Sequence, residues 1–260
     1  MAAALAGIPL RIGHATDGRG LLLKPGLARG PRGSRHYSFE MLELGMALLE
    51  SLDIAAPGLP ADELPLPSLS MPQIAVSQRN DGPDMRPLWV VAPGTTYGEA
   101  KTWPLTRVGE FVDLAVKQAG ARVVLLGDAQ AAAFVAAMRE TSNLAWTDAL
   151  EHPGEVIDLT GKTDLSQVAE IMKSAAAFVG NDSGLMHLAG AMGLPVVGIF
   201  GSSNPDWTHP LGQRTAAVVA QGFACRPCYR KTCNQKRFCL DDIPAATVLA
   251  RVRQLLSPSP

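Results

Sequence analysis

From residue 88 onward, short apolar runs alternate with longer segments whose apolar residues recur at helical spacing. Such runs suit strands that are buried on both faces, and the longer segments suit helices that cover a sheet. The predicted strands are Leu88–Ala92, Arg122–Leu126, Val156–Leu159, Ala177–Val179 and Val196–Phe200. The predicted helices are Arg107–Gln118, Gln130–Thr141, Leu165–Lys173, Gly184–Met192 and Ala245–Leu256. This alternation predicts an α/β fold with a parallel, doubly wound, Rossmann-like sheet and right-handed crossovers.

The N-terminal third of the chain shows a different pattern. A helix is predicted at Phe39–Leu52, but the stretch after it is rich in Pro and Ser, which is typical of a linker. What precedes this stretch is too short and too poor in strands to form a complete second α/β domain. We therefore predict a partial domain at residues 1–54, a linker at 55–87, a Rossmann-like domain at 88–240 and a C-terminal helix and tail at 241–260.

The bulk composition is typical of a globular protein. Of the 260 residues, 47% are hydrophobic and 18% are charged, and the net charge is −1. No apolar run approaches the roughly 20 residues of a membrane span, so we expect a cytoplasmic protein, and we predict no nucleic-acid partner. Basic residues nevertheless concentrate at 1–36 and 225–237, which suits either an anionic partner or solvated surface segments.

The turn at residues 179–189 is the strongest candidate for a binding site. An apolar run ends there at small residues, and a helical pattern starts directly afterwards. The free N–H groups and the positive end of such a helix form a phosphate site. Asp182 and Ser183 are good N-cap residues, and Gly184 lets a ligand approach the backbone. The alternative is an ordinary capped turn between a strand and a helix.

Two further polar loops follow predicted strands. Thr95, Thr96 and Lys101 lie on a loop after the first strand of the sheet, where hydroxyls and an ammonium group can donate to diphosphate oxygens. Residues 201–208 follow the last predicted strand and are again small and polar. Because parallel strands end at one edge, we expect the three loops to share a cleft. His187 either faces the same anion or packs against its neighbours.

All four cysteines lie in one segment, at Cys225, Cys228, Cys233 and Cys239. The spacing begins with CxxC, and four thiolates suit zinc or an iron–sulfur cluster. The alternative is reduced thiols in a tight loop, because disulfides are rare in the cytoplasm.

Taken together, these segments resemble glycosyltransferase family 9, the ADP-heptose:lipopolysaccharide heptosyltransferases, and within it most of all the heptosyltransferase II branch. The resemblance covers about residues 85–257 and, more weakly, Gly7–Gly13. Its most specific part is the string Asn-Asp-Ser-Gly-Leu-Met-His at 181–187. The other matching segments are residues 93–94, 101–104, Pro195, 201–206 and the cysteine-containing stretch.

The resemblance implies a GT-B fold, in which two Rossmann-like domains face each other across a cleft. Residues 88–240 then bind the donor, and residues 1–54 are a remnant of the acceptor-side domain. It also implies transfer of heptose from ADP-heptose to the lipopolysaccharide inner core, with inversion at the anomeric carbon. The acceptor is an anionic glycolipid, so peripheral contact with the cytoplasmic face of the inner membrane is expected.

The resemblance implies eight donor-binding residues, which are Thr95, Thr96, Lys101, Asp182, Ser183, Gly184, Leu185 and His187. The first three hold the diphosphate, the N–H groups of residues 183–185 complete the phosphate cradle, the aspartate contacts the sugar and the histidine supports the site. A lysine and a helix N-terminus stabilise the leaving diphosphate in the transition state, so no cofactor is required for the chemistry.

Two departures from the family pattern affect the functional prediction. The acidic residue expected to contact the ribose has only an uncertain counterpart in Gly127–Gln130. The aspartate that serves the family as general base has no counterpart, so the catalytic residue of this chain is unknown, and we expect little or no transferase activity from it. One alternative is a non-catalytic nucleotide-sugar-binding remnant or subunit. Another is a metal-binding redox or regulatory protein built on the cysteines.

Overall fold

The computed structural model describes residues 2–55 and 86–257. Within them the chain forms two compact units, one containing residues 2–55 with Asp206–Thr208, the other containing residues 86–205 and 209–257. The predicted linker at 55–87 lies outside the described residues except at its two ends. No helix of the described part is both long and apolar enough to cross a membrane.

The first unit is small and combines three helices with a two-stranded sheet. The helices are α1 (Ala2–Leu5), α2 (Tyr37–Ser51) and a short 3-10 turn at Arg19–Leu22, and the parallel strands are β1 (Gly13–His14) and β2 (Gly26–Leu27). Helix α2 confirms the helix predicted at Phe39–Leu52. Trp207 belongs to this unit, because its Nε1 donates to Glu40 Oε1 at 3.2 Å.

The second unit contains a seven-stranded sheet in which every strand pair is parallel. Its strands are β3 (Leu88–Ala92), β4 (Arg122–Leu125), β5 (Trp146–Thr147), β6 (Val156–Asp158), β7 (Ala177–Asn181), β8 (Val196–Phe200) and β9 (Thr215–Val219). Their order across the sheet is β5-β6-β4-β3-β7-β8-β9. Leaving out the edge strand β5, this is the strand order of a doubly wound Rossmann sheet. All five predicted strands are confirmed, with ends that differ by at most two residues.

Helices cover both faces of this sheet. They are α3 (Leu105–Ala119), α4 (Ala129–Thr141), α5 (Leu165–Ser174), α6 (Gly184–Ala191) and α8 (Ala245–Leu256). The single turn α7 (Pro205–Thr208) belongs to the first unit except for its first residue. Alternate residues of β3 point to opposite cores: Trp89 and Val91 pack with α3 and α8, whereas Val90 packs with α5 and α6. Each βα connection therefore returns over the sheet and leaves its loop at the carboxyl edge.

Two strands of the seven-stranded sheet, β5 and β9, were not predicted, and neither were the short strands β1 and β2 of the first unit. β9 is rich in alanine and only partly buried along most of its length, so its apolar signal is weak. β5 has two residues and pairs with β6 alone, at the edge of the sheet. In both cases pairing with a neighbouring strand, rather than local sequence, makes the strand.

Candidate functional site

The strand order of the second unit reverses between β3 and β7, which lie side by side at the centre of the sheet. Open α/β sheets bind ligands in the crevice that such a reversal creates at the carboxyl ends of the strands. The loop after β3 runs to a 3-10 turn at Glu99–Lys101, and the turn after β7 leads into α6. The two loops predicted to bind phosphate therefore lie at this crevice.

Specific hydrogen bonds join these loops. The buried Asn181 side chain, at the end of β7, accepts a hydrogen bond at 2.9 Å from the backbone N–H of Trp103. From the loop after β8, the N–H of Ser202 donates to the carbonyl of Ala100 at 3.0 Å. All three predicted loops therefore meet at one edge of the sheet, but only two of them share the cleft that was expected for all three. The third loop contacts the loop that carries Lys101 instead of lining the cleft described below.

Lys101 and Asp182 form an ion pair across the crevice. The distance from Lys101 Nζ to Asp182 Oδ2 is 2.6 Å, and the two side chains are only 16% and 5% exposed. The Lys101 ammonium also lies 4.7 Å from the centre of the Tyr97 ring. The resemblance implied separate roles for the two charged residues, one on the diphosphate and one on the sugar. The structure adds a direct contact between them.

The capping prediction for residues 182 and 183 is wrong in its details. Ser183 occupies the N-cap position of α6, but its side chain makes no capping hydrogen bond. Its Oγ is buried and has no hydrogen-bond partner within the described residues. Asp182 precedes the cap and pairs with Lys101. The Ser183 side chain therefore does not supply the acceptor that an N-cap residue usually offers to the first N–H groups of a helix.

A cleft of about 550 Å³ opens beside α6. Five of the eight predicted donor-binding residues line it, and they are Thr95, Thr96, Ser183, Gly184 and Leu185. Lys101, Asp182 and His187 are not part of its lining. The structure therefore brings the hydroxyl groups of the β3 loop and the start of α6 to one cavity, with the charged pair as a separate element of the same crevice.

The cleft is also lined by residues from the next two loops of the sheet, which are Leu126, Gly127, Asp128, Thr163, Asp164 and Leu165. Gly127 and Asp128 belong to the segment that was only an uncertain counterpart of the ribose contact, and residues 163–165 were not predicted to bind the donor. Both carboxylates cap helices. Asp128 accepts from the N–H groups of Gln130 and Ala131 at 3.0 Å, and Asp164 accepts from the N–H of Gln167 at 2.8 Å. The available signal was topological, because residues 160–165 follow a predicted parallel strand and must leave the sheet at the same edge.

His187 lies one turn into α6 and keeps 44% of its side chain exposed. Its Nε2 is 3.9 Å from Asp182 Oδ1. Partial burial lowers the pKa of His187 below its usual 6.5, the Asp182 carboxylate opposes this shift, and the Lys101 ammonium adds to it. The imidazole is therefore mainly neutral at pH 7 and does not add a second cation beside the ion pair.

The four cysteines line one small cavity of about 20 Å³, together with Ser202. All four thiols are free, and burial raises the pKa of the Cys239 thiol. In the parts of the chain at 2–55 and 86–257, no three His, Cys, Asp or Glu side chains are placed to hold a metal ion. The geometry therefore gives no support for structural zinc or iron, which stays a prediction.

The basic residues of the cysteine loop, defined as residues 225–239, have different roles. The Arg226 guanidinium donates to the carbonyls of Gly201, Ala220 and Phe200 at 2.7–3.0 Å, so it holds the loop against the sheet. Arg237 pairs with Asp242. The other basic side chains of the loop are exposed, and they are Arg230, Lys231 and Lys236. Within the cysteine loop, these three exposed side chains are the ones that suit the expected anionic partner.

Comparison with known proteins identifies the family of this chain. The family model for glycosyltransferase family 9 (heptosyltransferase) matches residues 2–238. Lipopolysaccharide heptosyltransferase 2 of Escherichia coli strain K12 is 32% identical over 169 residues, which are 61% of this chain and 45% of that protein. Lipooligosaccharide heptosyltransferase 2 of Campylobacter jejuni strain 81116 is 28% identical over 64% of this chain and 50% of that protein. The chain spans about half the length of the curated relatives it matches.

Solved structures show the same likeness. The structure of E. coli ADP-heptose lipopolysaccharide heptosyltransferase II matches with a TM-score of 0.68 and 25% identity, over 98% of this chain and 72% of that one. A family 9 glycosyl transferase from Veillonella parvula matches in fold with a TM-score of 0.67 and 19% identity, over 95% of this chain and 67% of that one. These matches confirm the predicted α/β fold class of the GT-B type. The chain therefore belongs to glycosyltransferase family 9, the heptosyltransferase family.

Proposed function

We propose that the cleft beside α6 binds the ADP part of ADP-heptose and that the chain acts in heptose transfer to the lipopolysaccharide inner core. One observation carries the proposal. A cleft of about 550 Å³ at the strand reversal is lined by Thr95, Thr96 and the first residues of α6, next to the Lys101–Asp182 pair. Hydroxyl groups, free N–H groups and a nearby ammonium group suit a diphosphate.

Each part of the cleft has a proposed role. Thr95 and Thr96 donate to diphosphate oxygens, and the N–H groups of residues 183–185 complete the cradle. The apolar lining suits a nucleobase and is formed by Leu126, Leu165, Val168 and Leu188. Asp128 and Asp164 lie in the same lining, so either carboxylate is in place to meet a ribose.

For the transfer step, we assign Lys101 and the N-terminus of α6 to the leaving diphosphate. When the bond between heptose and phosphate breaks, negative charge grows on the diphosphate, and fixed positive charge lowers the energy of that state. Asp182 holds the ammonium in place at 2.6 Å and contacts the sugar, while His187 supports the pair. Inversion at the anomeric carbon requires a base on the acceptor side, and we assign that role to none of the described residues.

The proposed acceptor is the anionic glycolipid core of lipopolysaccharide. The names of the relatives support this class of acceptor, and the exposed Arg230, Lys231 and Lys236 suit an anionic surface. Peripheral contact with the cytoplasmic face of the inner membrane belongs to the same proposal.

Calorimetric titration with ADP tests the donor site. The wild-type chain is expected to bind ADP, and Lys101→Ala is expected to weaken binding about 10- to 100-fold, because a charge-assisted contact to the diphosphate is lost. Lys117→Ala is the matched control, since this lysine pairs with Asp113 on the surface of α3. ADP affinity that is unchanged in Lys101→Ala would refute the placement of the site.

Heptose transfer is measured separately, with ADP-heptose and a heptose-deficient lipopolysaccharide acceptor. Turnover that depends on Lys101 would support a transferase. Intact ADP binding without turnover would favour the alternative, a non-catalytic nucleotide-sugar-binding chain or a subunit that a partner completes.

A further inference from the structure

The loop that carries Lys101 is fastened to the cysteine loop. The N–H of Ala100 donates to the carbonyl of Lys231 at 3.0 Å, and the N–H of Cys233 donates to Glu99 Oε1 at 3.3 Å. These contacts connect segments more than a hundred residues apart, and neither segment contains a strand of the sheet. The conformation of the backbone just before Lys101 therefore depends on the cysteine loop.

Tyr97 links the same two loops through its side chain. Its hydroxyl donates to the carbonyl of Tyr229, in the cysteine loop, at 2.6 Å. Its ring faces the Lys101 ammonium, whose nitrogen lies 4.7 Å from the ring centre. That distance is within the range at which a cation is attracted to the face of an aromatic ring. The Tyr97 side chain thus contacts the cysteine loop through its hydroxyl group and Lys101 through the face of its ring.

We propose that Tyr97 is a positioning residue, which holds the Lys101 ammonium ready for the donor diphosphate. The ammonium is confined between the Asp182 carboxylate at 2.6 Å and the Tyr97 ring. A lysine side chain has several rotatable bonds, and ordering it opposes ligand binding. Confinement before the ligand arrives removes part of that cost. The hydrogen bond from the Tyr97 hydroxyl to Tyr229 is a secondary support for the ring, and the contact between ring and ammonium does the positioning.

This inference rests on the proposed donor site. A double-mutant cycle tests the positioning role of Tyr97 separately from the donor site itself. ADP affinity is measured by calorimetry for Tyr97→Leu, for Lys101→Ala and for the variant with both changes. Tyr97→Leu is expected to weaken ADP binding about three- to tenfold, the size of a partly buried cation–π contact. In the Lys101→Ala background the same change is expected to have less than about a twofold effect, because Tyr97 acts through the lysine.

Tyr97→Phe provides the conservative rescue. It keeps the ring over the ammonium and removes only the hydroxyl anchor, so it is expected to recover most of the affinity that Tyr97→Leu loses. Tyr37→Leu is the control tyrosine variant, and it is expected to bind ADP like the wild type. Melting temperatures of all variants, measured without ligand, identify any general loss of stability.

Each contrary result has its own meaning. An equal loss of ADP affinity from Tyr97→Leu in both backgrounds overturns the positioning role and leaves Tyr97 with a structural role only. Unchanged affinity in Tyr97→Leu also overturns it. If Lys101→Ala itself binds ADP normally, the proposed donor site fails.

Discussion

Lys101 and Asp182 lie 81 positions apart in the sequence, yet their side chains form a buried ion pair of 2.6 Å. Lys101 lies on the loop after β3, at the end of its 3-10 turn, and Asp182 directly follows β7, the strand that pairs with β3. Because β3 and β7 are neighbours on opposite sides of the strand reversal, the two loops must meet at one crevice. The ion pair places a fixed cation and its partner at the point where open α/β sheets bind ligands.

Removing one member of this pair is expected to destabilise the fold. Asp182→Ala leaves a mostly buried ammonium without its carboxylate, so the free energy of unfolding should fall by about 3 kcal/mol. The Lys101→Ala/Asp182→Ala variant should lose less than the sum of the two single changes, because neither charge then remains buried alone. Urea unfolding of the three variants measures both effects. Asp113→Ala, which breaks the exposed pair with Lys117, is the control and should cost less than about 1 kcal/mol. Strictly additive losses would contradict the coupling.

Gly98 allows the close approach between the loop that carries Lys101 and the cysteine loop. Its φ is +144°, and a Cβ at this position would lie 2.5 Å from the carbonyl oxygen of Lys231. Gly98→Ala is therefore expected to cost about 1–3 kcal/mol of stability and to weaken ADP binding, because the loop before Lys101 must shift. Gly120→Ala is the control: φ there is +63°, but no atom lies within 4 Å of the added methyl group. It should lose stability without changing ADP affinity. An equal effect of both changes on ADP binding would show that the contact with Lys231 is unimportant.

Gly184 differs from Gly98, because the fold does not need a glycine at this position. A Cβ at this first residue of α6 would meet no atom within 4 Å, yet the residue lines the cleft. Gly184→Ala should therefore keep the wild-type melting temperature while it weakens ADP binding, since the methyl group occupies space that the ligand needs. Thermal unfolding and calorimetry measure the two properties. Gly45→Ala, in α2 and also without neighbours within 4 Å, should leave ADP affinity unchanged. Normal ADP binding by Gly184→Ala would exclude a phosphate at the start of α6.

His187 predicts a specific pH dependence of stability. Partial burial lowers its pKa in the folded chain below the usual 6.5, so the unfolded chain takes up a proton at a higher pH than the folded chain does. The free energy of unfolding should therefore decrease as the pH falls through 6.5 toward the folded-state pKa, while this group has no effect well above 6.5. His187→Gln should remove that part of the decrease. Urea unfolding between about pH 5 and 8 tests it, over the range in which histidine titrates. A steeper decrease in His187→Gln than in the wild type would contradict the lowered pKa of His187 in the folded chain.

Local patterns predicted most secondary-structure elements because their signals are strong. The strands β3 and β8 consist of five buried residues each, and their predicted bounds match the structure. Helix α8 was likewise predicted at its observed bounds, since Pro244 marks its start and its apolar residues repeat on one face. β9 was not predicted because it is rich in alanine, and β5 was not predicted because it has only two residues. Their strand conformation comes from pairing with neighbours.

The structure brings five of the predicted site residues to one cleft and adds contacts that the sequence did not predict. Thr95, Thr96 and residues 183–185 line one cleft, as parallel strands that end at a common edge require. Asp182 was expected to cap a helix or to contact a sugar, and it pairs with Lys101. Asp128 and Asp164 also line the cleft, although neither was among the eight predicted donor-binding residues. Carboxylates have several acceptable partners, and local sequence does not choose among them.

By itself, the sequence determined the α/β class, the order of the main elements and the edge of the sheet on which the polar loops lie. These properties depend on apolar periodicity and on the handedness of parallel crossovers, which act within a few turns of chain. Only the tertiary structure decided that Lys101 meets Asp182 and that Tyr97 connects the lysine to the cysteine loop. Those contacts join residues that are 81 and 132 positions apart, and packing of the whole sheet is needed to bring them together.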